Sequence, residues 1–175
     1  FNSCIFKWDR LNENIVFLLD DTIEDKHEKA VKMMRGDEFS DGYIYVKEFG
    51  STDIGGSFYV ECEGKRIYHA GDFNFWHWRD EGNEKYTRQM KIYFDRELRF
   101  LRNKVEGIDI AFFPVDKRLG SGFDEGADIF IETMKPEVFV PVHFVSFDDT
   151  KEYSKKHKGG QTKVVAVKKN GQRLI

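Results

Sequence analysis

Three apolar runs in this sequence each lead into a polar residue able to hold a metal ion, and helical segments separate the runs. The first is Arg66-Ile67-Tyr68-His69-Ala70, leading into Gly71-Asp72. The second, Ile108-Asp109-Ile110-Ala111-Phe112-Phe113, passes through Pro114 and Val115 to Asp116. The third, Val138-Phe139-Val140-Pro141-Val142, ends at His143. A charged segment over 83–102 lies between the first two, with Tyr86, Met90, Tyr93, Phe94, Leu98 and Leu101 on one helical stripe. A second helix is predicted over 126–134. Apolar strands joined through helices run parallel and are buried on both faces. The order therefore predicts an α/β (α+β mixed) fold, a mixed sheet with helices packed outside it. Ligands in such folds bind at the ends of the strands.

The remaining chain fills in this frame. Ile15-Val16-Phe17-Leu18-Leu19 reads as a buried strand. Asp20-Asp21-Thr22 then caps a predicted helix with Ile23, His27, Ala30, Val31 and Met34 at helical spacing, stopped by Gly36. Strands are predicted over 43–46 and 57–62, the latter turning at Glu63-Gly64 into the first of the three runs. A helix over 150–157 and a strand over 163–167 follow, then a hairpin at Asn170-Gly171 with a short partner ending at Ile175. No internal repeat or linker interrupts residues 1–175, so one domain is expected. One sheet or two fits this pattern equally well.

Composition excludes several classes. Hydrophobic residues are 40% of the chain and Phe alone supplies 17, enough for a core. The charges alternate in sign and sum to −3, leaving no basic strip for nucleic acid and no polybasic patch for a membrane surface. No apolar run reaches the roughly 20 residues a membrane helix needs. Cys4 and Cys62 are far apart and form no CxxC motif, as expected of free thiols in a cytoplasmic protein. No Gly-x-Ser-x-Gly elbow, Walker loop or dinucleotide glycine pattern is present.

Each candidate group has a plain and a functional explanation. Gly71-Asp72 is either an Asx turn or a carboxylate presented at a strand's edge. His143 is either a satisfied rim histidine or a metal ligand. The segment Phe73-Asn74-Phe75-Trp76-His77-Trp78 either packs on the core or walls a pocket. Asp116 and Arg118 either belong to a solvated loop or reach the same rim as Asp72. Co-occurrence favours function, because strand–helix units bring such strand ends together.

Taken together, these motifs resemble the metallo-β-lactamase superfamily. The resemblance is nearest to the branch of predicted metal-dependent hydrolases that includes ascorbate-phosphate lactonase-like proteins. It rests on Phe49-Gly50-Ser51-Thr52-Asp53, Ser57-Phe58, His69-Ala70-Gly71-Asp72, Trp76-His77-Trp78, the run from Phe113 to Arg118, and Pro141-Val142-His143-Phe144. The resemblance implies an αββα sandwich whose site lies between two sheets. Asp72 then matches the catalytic Asp that commonly bridges two metals, and His143 matches the final His ligand. The His-x-His-x-Asp-His motif of that family is absent. In this branch, residues like Phe1-Asn2 through Trp8 follow directly after that motif, so the chain is expected to begin just downstream of it, without the N-terminal strands. The family's middle His is expected near Gly50 to Asp53, where the sequence reads Ser51-Thr52-Asp53; either Asp53 or His77 substitutes for it, or the site is mononuclear.

The expected activity of the parent protein is hydrolysis of a small-molecule ester, lactone or phosphoester by a water activated on a divalent ion, Zn or Mn. His77, Asp116, Arg118 and Asp53 are the candidate substrate contacts. Arg118 either pairs with a substrate phosphate or carboxylate, or forms a salt bridge to Asp116 or Asp124. With two retained ligands, this chain is expected to hold metal weakly or not at all, and to be inactive. The alternative is a degenerate or split member of the fold with a binding or assembly role. Lost strands would expose a sheet edge, so self-association into a homo-oligomer is expected.

Overall fold

The computed structural model describes residues 2–173. Its centre is a seven-stranded mixed sheet ordered β3-β4-β5-β6-β7-β8-β9. The strands are β3 (Glu38–Ser40), β4 (Ile44–Phe49), β5 (Ser57–Cys62), β6 (Lys65–His69), β7 (Ile110–Pro114), β8 (Val138–Val142) and β9 (Lys163–Val164). From β3 to β6 neighbouring strands are antiparallel and joined by short turns. From β6 to β9 they are parallel. Each parallel step spans a helix: α1 (Glu84–Arg102), α2 (Glu125–Met134) or α3 (Phe147–Lys156). The change occurs where the sequence stops supplying tight turns and begins supplying amphipathic helices. A separate two-stranded parallel sheet pairs β1 (Phe17–Asp20) with β2 (Ala30–Met33).

Strand register explains the core. Tyr59, Tyr68, Ala111, Phe139 and Val164 stand side by side across β5 to β9, so they share one face. All five are buried, in one cluster with Phe94, Leu98 and Leu101 of α1 and Phe130 of α2. The opposite parity carries Phe58, Val60, Ile67, Ile110 and Phe112, which are only half-buried. The helix ends are those the sequence specifies. Asn83 caps α1, its Oδ1 accepting from the Tyr86 N–H at 2.9 Å, and Arg99 and Arg102 occupy the last turn. We expect Asn83→Ala to cost about 1 kcal/mol, read by urea denaturation. A cost of zero would show that the cap does not form.

Two expectations need correction, and a third reaches beyond the described residues. Residues 23–34 are not a helix. Their end is strand β2, because the edge of β1 offers a backbone partner: the Phe17 N–H donates to Lys29 O, and the Asp21 N–H to Met33 O. Strand pairing here overrides a spacing that also suits a helix. The last strand is shorter than 163–167, ending at Val164. The partner strand predicted to end at Ile175 reaches beyond the described residues. No helix among the described residues is long and apolar enough to cross a membrane. Both cysteines are free thiols.

Candidate functional site

The C-terminal ends of the three neighbouring parallel strands β6, β7 and β8 bring Asp72, Asp116 and His143 together. Asp72 follows β6 by way of Gly71, whose φ is +56°. A Cβ at Gly71 would stand 2.5 Å from the Gly56 carbonyl, so neither the backbone angle nor the space tolerates a side chain. The turn that presents Asp72 is therefore built on that glycine. His143 follows β8 directly and adopts a left-handed backbone with φ +59°. That conformation is costly for a non-glycine residue and concentrates at functional positions.

The side chains meet in a defined order. His143 Nε2 lies 3.6 Å from Asp72 Oδ1, and His143 Nδ1 lies 2.9 Å from Asp116 Oδ2. Arg118 Nη2 also stands 3.2 Å from Nδ1, and both contacts cannot be hydrogen bonds unless the proton positions agree. The closer, anionic partner is Asp116. Nδ1–H thus donates to Asp116, and the Nε2 lone pair faces Asp72. Asp116 is buried, while Asp72 is about half-exposed. Burial works to raise the Asp116 carboxyl. The Arg118 side chain and backbone N–H, with His143, outweigh that effect and hold it below the ordinary carboxylate range. Arg118 achieves this with a forked contact, Nε at 3.0 Å and Nη2 at 2.6 Å from Asp116 Oδ2.

The aromatic segment after Asp72 supports this corner. Trp76 Nε1–H donates to the Asp72 carbonyl at 2.6 Å, and its ring lies 5.3 Å from the His143 ring. Thr52 ties the 50–56 loop to the same segment: its Oγ1 donates to Asn74 O at 2.5 Å and accepts from the Asn74 N–H at 3.0 Å. Tyr68 OH donates to Ser57 Oγ, which donates to Gly50 O. Beside Asp72 opens a cleft of about 720 Å³ lined in part by Asp20, Thr22, Ile54, Gly56 and Phe58.

Not every predicted contact residue faces this cleft. His77 is fully buried, its Nε2 3.0 Å from Gly122 O and its Nδ1 accepting from the Arg79 N–H. With both nitrogens engaged, it braces its loop and is not placed to touch substrate. Asp116 is buried and is not among the residues lining the cleft; its carboxylate serves His143 and Arg118. Arg118 is the salt bridge to Asp116 that the sequence left open, with its outer edge still exposed. Asp53 is exposed in the 50–56 loop, its Oδ1 accepting from the Ile54 N–H.

The pair Asp72 and His143 fits the geometry of two donors to one ion. Ligands with bonds of about 2.1 Å in a tetrahedral site stand about 3.4 Å apart; here they are 3.6 Å apart. Asp116 supplies the carboxylate that orients a ligating histidine. Among the described residues, no group of three or more His, Cys, Asp or Glu side chains could hold an ion. The pair is therefore two donors and not a complete site.

The chain is a mixed α/β protein, the class that its strand–helix order predicts, and two facing donors stand at the strand ends of its large mixed sheet. Its homologues are UPF0173 metal-dependent hydrolases. One from Pyrococcus abyssi is 29% identical over 125 residues, covering 68% of this chain and 46% of that protein. Another, from Staphylococcus saprophyticus, is 27% identical over 89 residues, covering 51% of this chain and 30% of that protein. The crystal structure of a proposed metal-dependent hydrolase from Parabacteroides distasonis shares the fold. Its TM-score is 0.60 at 15% identity, over 88% of this chain and 64% of that one. The matches thus span less than half the length of these two curated relatives. No protein-family model matches the chain.

Proposed function

We propose that the complete gene product is a metal-dependent hydrolase acting on a small-molecule ester, lactone or phosphoester, with Asp72 and His143 as two donors to a divalent ion, Zn or Mn. The observation that carries this reading is the 3.6 Å approach of Asp72 Oδ1 to His143 Nε2 at adjacent strand ends. The hydrolase names of the homologues support it. When bound, such an ion lowers the pKa of water and polarises the bond under attack.

The chain's own residues prepare that chemistry. Asp116 holds the Nδ1 side of His143, which leaves Nε2 as the ring nitrogen that faces Asp72. Trp76 packs against His143 and removes water from one side of the ring. Asp72, half-exposed, meets the cleft where a small molecule would lie. Two donors alone hold an ion weakly, so this chain by itself binds metal weakly and turns over no substrate.

Elemental analysis of the complete gene product, beside the isolated chain, tests this. We expect stoichiometric metal and chelator-sensitive hydrolysis in the first, and substoichiometric metal with no turnover in the second. A complete gene product that is metal-free after supplementation, or inert toward esters, lactones and phosphoesters alike, would overturn the proposal.

A further inference from the structure

Two buried carboxyls lie outside the Asp72–His143 corner. Glu48, in β4, is fully buried, and Asp20, at the end of β1, is more than nine-tenths buried. Both converge on Gly56. A Cβ there would stand 2.1 Å from Glu48 Oε1 and 3.0 Å from Asp20 Oδ2. Asp20 has partners, its Oδ1 accepting from the Thr22 N–H at 2.9 Å and from the Thr22 hydroxyl. Neither Glu48 oxygen has a donor. A buried carboxylate without a donor is costly, so the site requires a neutralising group.

A proton is the group that fits. An ion would need a third donor, and no such set exists among the described residues. A proton between Glu48 and Asp20 gives Glu48 its missing hydrogen bond and leaves one negative charge on the pair. Lys32 is the cation near Asp20, and its Nζ is committed to the Ile23 carbonyl. The other charges near Glu48 are the acids Asp21 and Asp37. The pair is held from several sides: the Glu48 N–H donates to Asp37 O, and Glu48 O accepts from the Gly36 N–H.

Gly56 links the pair to the candidate site. One side of this glycine meets the two carboxyls, and its carbonyl abuts Gly71, the residue before Asp72. Gly56 and Asp20 also line the cleft that borders Asp72. We propose that Asp20 and Glu48 share one proton and act as a pH-sensitive latch, seating Gly56 against Gly71 while the proton is held and releasing it when the proton leaves. Losing that proton places two negative charges against one glycine, with the acids Asp21 and Asp37 adding to the repulsion on the Glu48 side and Lys32 the cation beside Asp20. The tip of the 50–56 loop, beyond the anchor at Thr52, is the part free to yield, because Ile54 is exposed and Gly55 has a φ of +90° with open space around it. Burial, then the Asp20 contact, push the Glu48 carboxyl up to about 8, within reach of mildly alkaline solution. Asp20 moves the other way: burial opposes the shift, and its hydrogen bonds with Glu48 and Thr22 outweigh it.

The sign follows from linkage. A carboxyl raised in the folded state contributes stability that is fully present below its unfolded value of 4.5 and is lost as pH rises through about 8. The test is carbon-detected NMR titration of the Glu48 carboxyl in this chain, with the amide signals of Gly56 and Gly71 followed together. We expect Glu48 to titrate near 8 and both glycine amides to move with the same midpoint. Glu48→Gln supplies a permanent donor in the same shape. It should abolish the glycine shifts and leave the variant more stable than wild type at about pH 9. Asp20→Asn, which removes the second charge and offers an amide donor, should lower the Glu48 midpoint. A Glu48 midpoint near the ordinary 4.5, or glycine shifts that persist in Glu48→Gln, would overturn the latch. The wild-type titration decides the matter if neither variant folds. None of these outcomes depends on metal or turnover, so failure of the hydrolase proposal leaves the latch standing.

Discussion

Phe113→Ala should destabilise the chain by about 3–5 kcal/mol, the cost of emptying a buried aromatic site that cannot collapse. Phe113 is fully buried in β7 and stacks on Phe130 with ring centroids 4.5 Å apart. Phe73 meets it edge-on at 5.9 Å, and Phe139 lies 6.1 Å away. These three neighbours come from α2, the loop after β6, and β8. The vacancy would open between elements that are each fixed by other contacts, so relaxation is limited. A small domain has a total stability of about 5–15 kcal/mol, so the variant would stand close to unfolding. Urea denaturation measures the loss. A cost under about 1 kcal/mol would mean that the core is not packed as described.

Asp116→Asn is the second large effect, and it falls on the candidate site. The amide keeps the shape of the carboxylate but loses the charge that holds the Nδ1–H of His143 and the fork of Arg118. Loss of such an orienting carboxylate lowers metal affinity about 10–100-fold. Competition with a chromophoric chelator on the complete gene product measures this, and an unchanged affinity would remove Asp116 from the site. The pH dependence separates charge from shape. Asp116 is held below its usual 3.8 in the fold. Its contribution is therefore present above that value and is lost as pH falls through the lower folded value. Wild type and variant should differ in stability near neutrality and converge in strong acid.

Much of the site was visible in the residues because its chemistry sits at the ends of apolar runs. Asp72, Asp116 and His143 each follow a run of β-forming residues that no helix could bury in the same order, so the parallel strands and their shared rim were legible. The division of labour at that rim was not. Asp116 and Arg118 look alike in sequence whether they face a ligand or each other, and only the fork geometry separates the two cases. His77 lies in an aromatic stretch suited to a pocket wall, yet burial engages both of its nitrogens internally. Strand β2 was missed because the residues from Ile23 to Met34 suit a helical stripe, and the edge of β1, a backbone partner distant in sequence, decides against it. A signal for Glu48 did exist. It lies on the same strand parity as Val46 and opposite Phe58, where a charge stands out against an apolar row.

The row of Tyr68, Ala111 and Phe139 has a consequence for how faithfully this corner is reproduced from one molecule to the next. Those side chains interlock on one face, and slipping any strand by a single residue would expose one of them to water. The same registry sets where Asp72, Asp116 and His143 emerge. The hydrophobic interior thus works as a caliper, and the tolerance on the polar corner is inherited from packing that never touches it.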